Sequence, residues 1–171
     1  MRSIKYSFAQ KVEALTIAKR RMENSDRLGI QAYFPRRLIH EWMGALAEVV
    51  CRDEYPGLEQ EGPDGIKSED TRFIDFKNCG YLVEVKCSQS HQAREGEYLP
   101  LNAVQFYRRS RDYDLLYGYF MKKHPEKTDR IWELGYIWAE DIDPSNEVKM
   151  AWSSAIAVPW EAFKPIKALE L

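Results

Sequence analysis

The chain has 171 residues, with 25 Lys and Arg against 27 Asp and Glu, a formal net charge of −2. At 44% hydrophobic and 30% charged, it reads as one folded domain, not a disordered or collagen-like chain. The near-neutral charge excludes a generally basic nucleic-acid coat but leaves room for a local basic surface.

No apolar run approaches the roughly 20 residues that cross a bilayer. No signal peptide is visible at the N-terminus. Three cysteines, Cys51, Cys79 and Cys87, lack framework spacing, which predicts reduced thiols in a cytoplasmic protein with no membrane association.

In chain order, about 7–23 reads as an amphipathic helix with Phe8, Val12, Leu15, Ile17 and Ala18 on one stripe and Lys19-Arg20-Arg21 near its end. It belongs to an N-terminal helical segment at about 1–30 of a single domain. A second helix is expected from Pro35 to Asp53, with Ile39, Met43, Leu46 and Val50 in helical period. Residues 56–70, rich in Gly, Pro, Asp and Glu, read as a loop. Two β-rich runs flank Cys79-Gly80 as a hairpin. A polar loop is expected over Ser88–Glu97 and a short helix over Leu101–Arg109. Strands follow at Leu115–Met121, Ile131–Ala139 and, more weakly, Ala151–Val158. Val158–Phe163 reads as a closing helical turn. The order predicts a mixed α/β fold with a central mixed sheet flanked by helices.

The hairpin carries the most chemistry. With Cys79-Gly80 as a two-residue turn, Asp75 faces Glu84. Period-two alternation then puts Phe73, Asp75, Lys77, Leu82, Glu84 and Lys86 on one face and Ile74, Phe76, Val83 and Val85 on the other. A three-residue loop would instead oppose Asp75 to Val83; the wholly apolar second face favours the two-residue register. Two carboxylates opposed at about 5 Å repel each other unless a cation lies between them. A hard divalent cation such as Mg²⁺ takes one or two carboxylates and keeps several waters. A lysine one step along the strand can hold the attacking water or stabilise charge on a phosphate. An ordinary solvated sheet face with cross-strand ion pairs has the same composition.

Asp75, eight residues, then Glu84-Val85-Lys86 resembles the catalytic signature of the PD-(D/E)XK nuclease superfamily, the restriction-endonuclease-like fold. Gly44-Ala45-Leu46-Ala47-Glu48 resembles the helix that often precedes that hairpin with a further glutamate. The resemblance covers about 35–121, half of the chain. It implies a metal-dependent DNA endonuclease, restriction-type first, with Asp75, Glu84 and the Val85 carbonyl holding Mg²⁺ (Mn²⁺ able to substitute). Lys86 would orient or activate the attacking water, and Glu48 would support a second metal or hydrogen-bond the site. A repair, recombination or junction-resolving nuclease of the same fold is the alternative within the class. A non-catalytic DNA-binding or assembly subunit is the alternative outside it. The resemblance also implies DNA as partner and a homodimer or a subunit of a heteromeric nuclease.

Ile74 stands where the name-giving proline would be. Asp64, in Gly62-Pro63-Asp64-Gly65, and Asp70 are rivals to Asp75, and Glu41 is a rival to Glu48. Gln105 begins an incomplete Gln-x-x-x-Tyr pattern, with Arg109 where the tyrosine would stand, and reads as a surface residue. For nucleic-acid contact the candidates are Arg108, Arg109 and Arg111 after the short helix, and Gln89 and Arg94 in the polar loop. His40, His91 and His124 lack zinc spacing, and no phosphate-binding glycine loop or serine-nucleophile motif occurs. The C-terminal aromatics, Trp132, Trp138, Trp152 and Trp160 among them, read as core.

Overall fold

The structure, a computed structural model, describes residues 1–27, 37–60, 75–89, 98–109, 112–150 and 153–166. A short strand β1 (Arg2–Lys5) leads into helix α1 (Phe8–Arg27). Ser7 and Gln10 close the start of α1 as a capping box: Gln10 N–H donates to Ser7 Oγ at 3.1 Å, and Ser7 N–H to Gln10 Oε1 at 2.7 Å. Helix α2 (Arg37–Glu54) packs antiparallel in sequence order against it and ends before the Tyr55-Pro56-Gly57 turn.

The hairpin follows the register expected for a two-residue turn. Strand β3 (Phe76–Asn78) pairs with β4 (Tyr81–Gln89), with Asn78 opposite Tyr81, Lys77 opposite Leu82 and Phe76 opposite Val83. Cys79 and Gly80 have φ of 48° and 91°, both positive, as the tight turn that matches strand twist requires. The short β2 (Glu59–Gln60) adds to the β3 edge, so the predicted 56–70 loop gives way to strand there.

Beyond the hairpin come β5 (Tyr98–Asn102), α3 (Ala103–Arg109), β6 (Leu115–Met121), β7 (Arg130–Trp138), β8 (Glu147–Lys149) and β9 (Ser154–Pro159). The main sheet runs β1-β7-β6-β4-β3-β2 and a smaller one β5-β9-β8. Among the described residues only the β4–β6 pair is parallel; the other pairings are antiparallel. The result is a mixed α/β fold with a mixed sheet and, among the described residues, three α-helices. None of them is long and apolar enough to cross a membrane.

The main sheet is covered on both faces. On one, Phe76, Val83, Val85, Tyr117, Tyr119 and Ile131 pack with the α2 residues Met43, Leu46, Val49 and Val50 and with Ala14 and Ala18 of α1. On the other, Leu116, Phe120, Leu134 and Ile137 pack with Leu99, Leu101, Phe106, Ile156, Val158 and Phe163. Strand β6 is therefore buried on both sides, which explains its continuous apolar run.

Two glycines let the C-terminal segment cross this second face. The β6–β7 ladder pairs Gly118 with Gly135 beside an irregularity that leaves Leu134 without a partner in register. Phe163 lies over Gly118, and the Lys164 backbone crosses Gly135. Tyr136 and Lys164 exchange two backbone hydrogen bonds of 2.7 and 2.8 Å.

Several sequence expectations are corrected. Phe8 and Val12 do not share the buried stripe of α1; Phe8 is 80% exposed. The buried positions are Ala14 and Ala18, small enough for α1 to lie close on α2. The polar loop does not begin at Ser88: Ser88 and Gln89 continue β4, paired with Phe120 and Met121 of β6. The described residues form β1 and β5, where no strand was expected. Trp132, Trp138 and Trp160 are half-buried and pack against the two cores, whereas Trp152 lies outside the described residues. All three cysteines are free.

Candidate active site

The hairpin register sets Asp75, one step beyond the Phe76–Val83 pair, beside Glu84. Asp75 itself sits in a bend just before β3. Its side chain turns back onto β4, where Val85 N–H donates to Oδ2 at 2.7 Å. That bond fixes the carboxylate against the strand that carries Glu84 and Lys86. Glu84, two residues from Lys86 on the same sheet face, is 4% exposed, and Lys86 Nζ is hydrogen-bonded to Glu84 Oε1.

Electrostatics tie these groups together. The Asp75 carboxyl is held well above its ordinary pKa. Burial is the largest cause, followed by the charges of Glu48 and Glu84; Lys86 and the Val85 N–H pull the other way. Glu48, on α2, thus exerts a larger charge effect on Asp75 than Glu84 does. Its carboxylate is also gripped by Arg21 of α1: Nη1 donates to Oε1 at 2.7 Å and Nη2 to Oε2 at 2.5 Å. Burial lowers the Arg21 pKa, but the hydrogen bonds and charge of Glu48, then the charges of Asp75 and Glu41, more than reverse this.

Beside Glu84 and Lys86 a small cavity of about 20 Å³ is lined also by Asn102, Gln105, Phe106 and Tyr113. That is room for one water. Gln105 lines this cavity while remaining an exposed residue, as the surface reading of its incomplete motif predicts. It is placed by α3, whose start Asn102 caps through Oδ1, accepting from Gln105 N–H at 3.0 Å.

The donor set is one of hard oxygens: the carboxylates of Asp75, in the bend before β3, and Glu84, on β4, with the Val85 carbonyl between Glu84 and Lys86 in the chain. It suits Mg²⁺, which keeps most of its waters and needs few protein ligands. Among the described residues no group of three or more His, Cys, Asp or Glu side chains is arranged to hold a metal on side chains alone.

The remaining predicted residues are less closely gathered. Arg108 is exposed on α3. Gln89 is 6% exposed at the end of β4; as part of the ladder and not of a loop, it is not presented for DNA contact. Arg94 and Arg111 lie outside the described residues, as do the side chain of Arg109 and the rivals Asp64 and Asp70. Arg21 is the residue that sequence reasoning missed. It was visible only as part of a basic run near a helix end, and nothing local links it to Glu48, 27 positions away. Comparison with known protein families, curated proteins and solved structures finds no match to this chain.

Proposed function

We propose that this chain is a Mg²⁺-dependent nuclease of the restriction-endonuclease-like kind that hydrolyses DNA phosphodiester bonds. The observation that carries the reading is the convergence of Asp75 and Glu84 beside Lys86, with Asp75 pinned to the Val85 N–H. Two carboxylates forced together with one of them reluctant to ionise make a site that gains from a cation.

Asp75, Glu84 and the Val85 carbonyl would hold the ion. When bound, the metal supplies Lewis-acid polarisation of the phosphate and eases formation of a nucleophile at neutral pH. Lys86 presents a hydrogen-bond donor beside the water-sized cavity, where it orients the attacking water and balances charge on the phosphate. Gln105, on the cavity wall, offers an amide donor to the same water or to a phosphate oxygen. The exposed Arg108 extends the positive field to the flanking backbone.

The test is cleavage of plasmid, genomic, branched and single-stranded DNA with Mg²⁺, alongside K86A and an EDTA control. Cleavage by the wild type that EDTA stops and that K86A reduces by at least about 100-fold, the lower end of general acid–base contributions, supports the reading. Discrete bands would mark a restriction-type enzyme, and selective cutting of branched DNA a junction-resolving one. DNA binding without cleavage of any of these substrates refutes it in favour of a non-catalytic module.

A further inference from the structure

Helix α1 lies outside the stretch that resembles the nuclease family, yet it delivers a charge to the site. Arg21 and Glu48 meet fork to fork through two parallel hydrogen bonds, the strong geometry for guanidinium and carboxylate. Their side chains are only 19% and 17% exposed, so salt screens the pair weakly. Both Glu48 oxygens are engaged, which leaves that carboxylate poorly disposed to ligate a metal. The guanidinium also keeps its charge at every working pH.

Electrostatics point the same way. The charge of Glu48 acts on Asp75, and those of Asp75 and Glu41 act on Arg21 after that of Glu48. Without Arg21, Glu48 would lose both hydrogen bonds and the cation that faces it.

We infer that Arg21 is a positioning residue that fills, from the N-terminal helix, the place a second divalent cation would take at Glu48, so that the site binds one metal ion and not two. The inference rests on the metal-dependent reading above and assigns Glu48 to Arg21 instead of to a metal.

Mn²⁺ binding to the full chain, followed by the electron paramagnetic resonance of the free ion, reads this directly and needs no substrate. The wild type is expected to bind one Mn²⁺, and R21K, which keeps the charge, also one. R21M is expected to bind two, and the double variant R21M/E48Q to return to one. R21Q keeps a donor to Glu48 but loses the charge; it carries the same expectation as R21M and guards against loss of fold, which circular dichroism checks. A wild type that binds two ions overturns the inference and leaves the metal-dependent reading standing. Folded R21M and R21Q that still bind one overturn it too, as does a double variant that still binds two. A wild type that binds none overturns the inference together with the reading beneath it.

Discussion

Gly135→Ala isolates what the crossing of the C-terminal segment demands. Gly135 has φ of 129°, a conformation that costs an L-residue with a side chain about 1–3 kcal/mol. The new Cβ would stand 2.1 Å from the Lys164 carbonyl oxygen and 2.8 Å from its carbon. Those are backbone atoms, so no side-chain rotation relieves the contact. Retreat of Lys164 would give up the two hydrogen bonds it exchanges with Tyr136, each contributing about 1 kcal/mol. The sum is about 4 kcal/mol, a large share of the ~5–15 kcal/mol that holds a domain folded. For a chain of this size that lowers Tm by roughly 8–16 °C. Gly44→Ala is the internal control: among the described residues nothing beyond the adjoining backbone of its own helix lies within 4 Å of the added Cβ, and it sits in mid-helix, so it should stabilise by about 1 kcal/mol. Thermal melts followed by circular dichroism read both. A G135A protein that melts within about 2 °C of the wild type would refute the argument.

Other expectations follow from the site and the thiols. Because the folded pKa of Asp75 is raised above an unfolded value near 3.9, its contribution to stability is whole below that value and is lost as pH rises through the folded pKa. Urea midpoints measured over a pH series should therefore fall more steeply on the alkaline side for the wild type than for D75N, which retains an acceptor for the Val85 N–H; parallel profiles would contradict this. Mg²⁺ at about a hundredfold over its Kd should restore about 2.7 kcal/mol to the wild type and nothing to D75N, read by the same urea melts. A thiol-reactive chromogenic disulfide should label one cysteine fast in the native protein, the exposed Cys79 in the hairpin turn. Cys51 is fully buried, and burial raises its pKa, so it should react only on unfolding; peptide mapping of the labelled sites checks the assignment.

The parts of the fold that the sequence made legible are those whose signal is local. Strand β6 could be read to the residue because its run is apolar throughout. The hairpin register could be read because only the two-residue turn gathers Phe76, Val83 and Val85 on one face. What was hidden depends on distant partners. Strand β1 has one buried side chain, Ile4, and owes its existence to β7. Strand β5 contains Pro100, which argues against a strand; it is tolerated because β5 is an edge of the small sheet, paired only with β9. On α1 the expected stripe holds at Leu15, Ile17 and Ala18, which pack on the core with Ala14, and fails at Phe8 and Val12, which are exposed. In the candidate site the same division holds. Asp75, Glu84 and Lys86 are linked by alternation along a hairpin, whereas Arg21 and Glu48 meet only through the packing of two helices.

The pairing of β1 with β7 has a consequence for how the chain is made. Arg2 and Glu133, joined by a 3.0 Å hydrogen bond, are 131 positions apart. At ~5–20 residues per second, a ribosome takes roughly 7–26 s to synthesise the distance between them. During that interval the first strand has no neighbour to pair with, while the helical hairpin that follows it can already assemble from local contacts. The strand must wait with its edge uncovered, so the sheet closes late and non-locally, the slow class of folding event. Nascent chains halted before β7 should thus be the form of this protein most open to proteases and to mispairing.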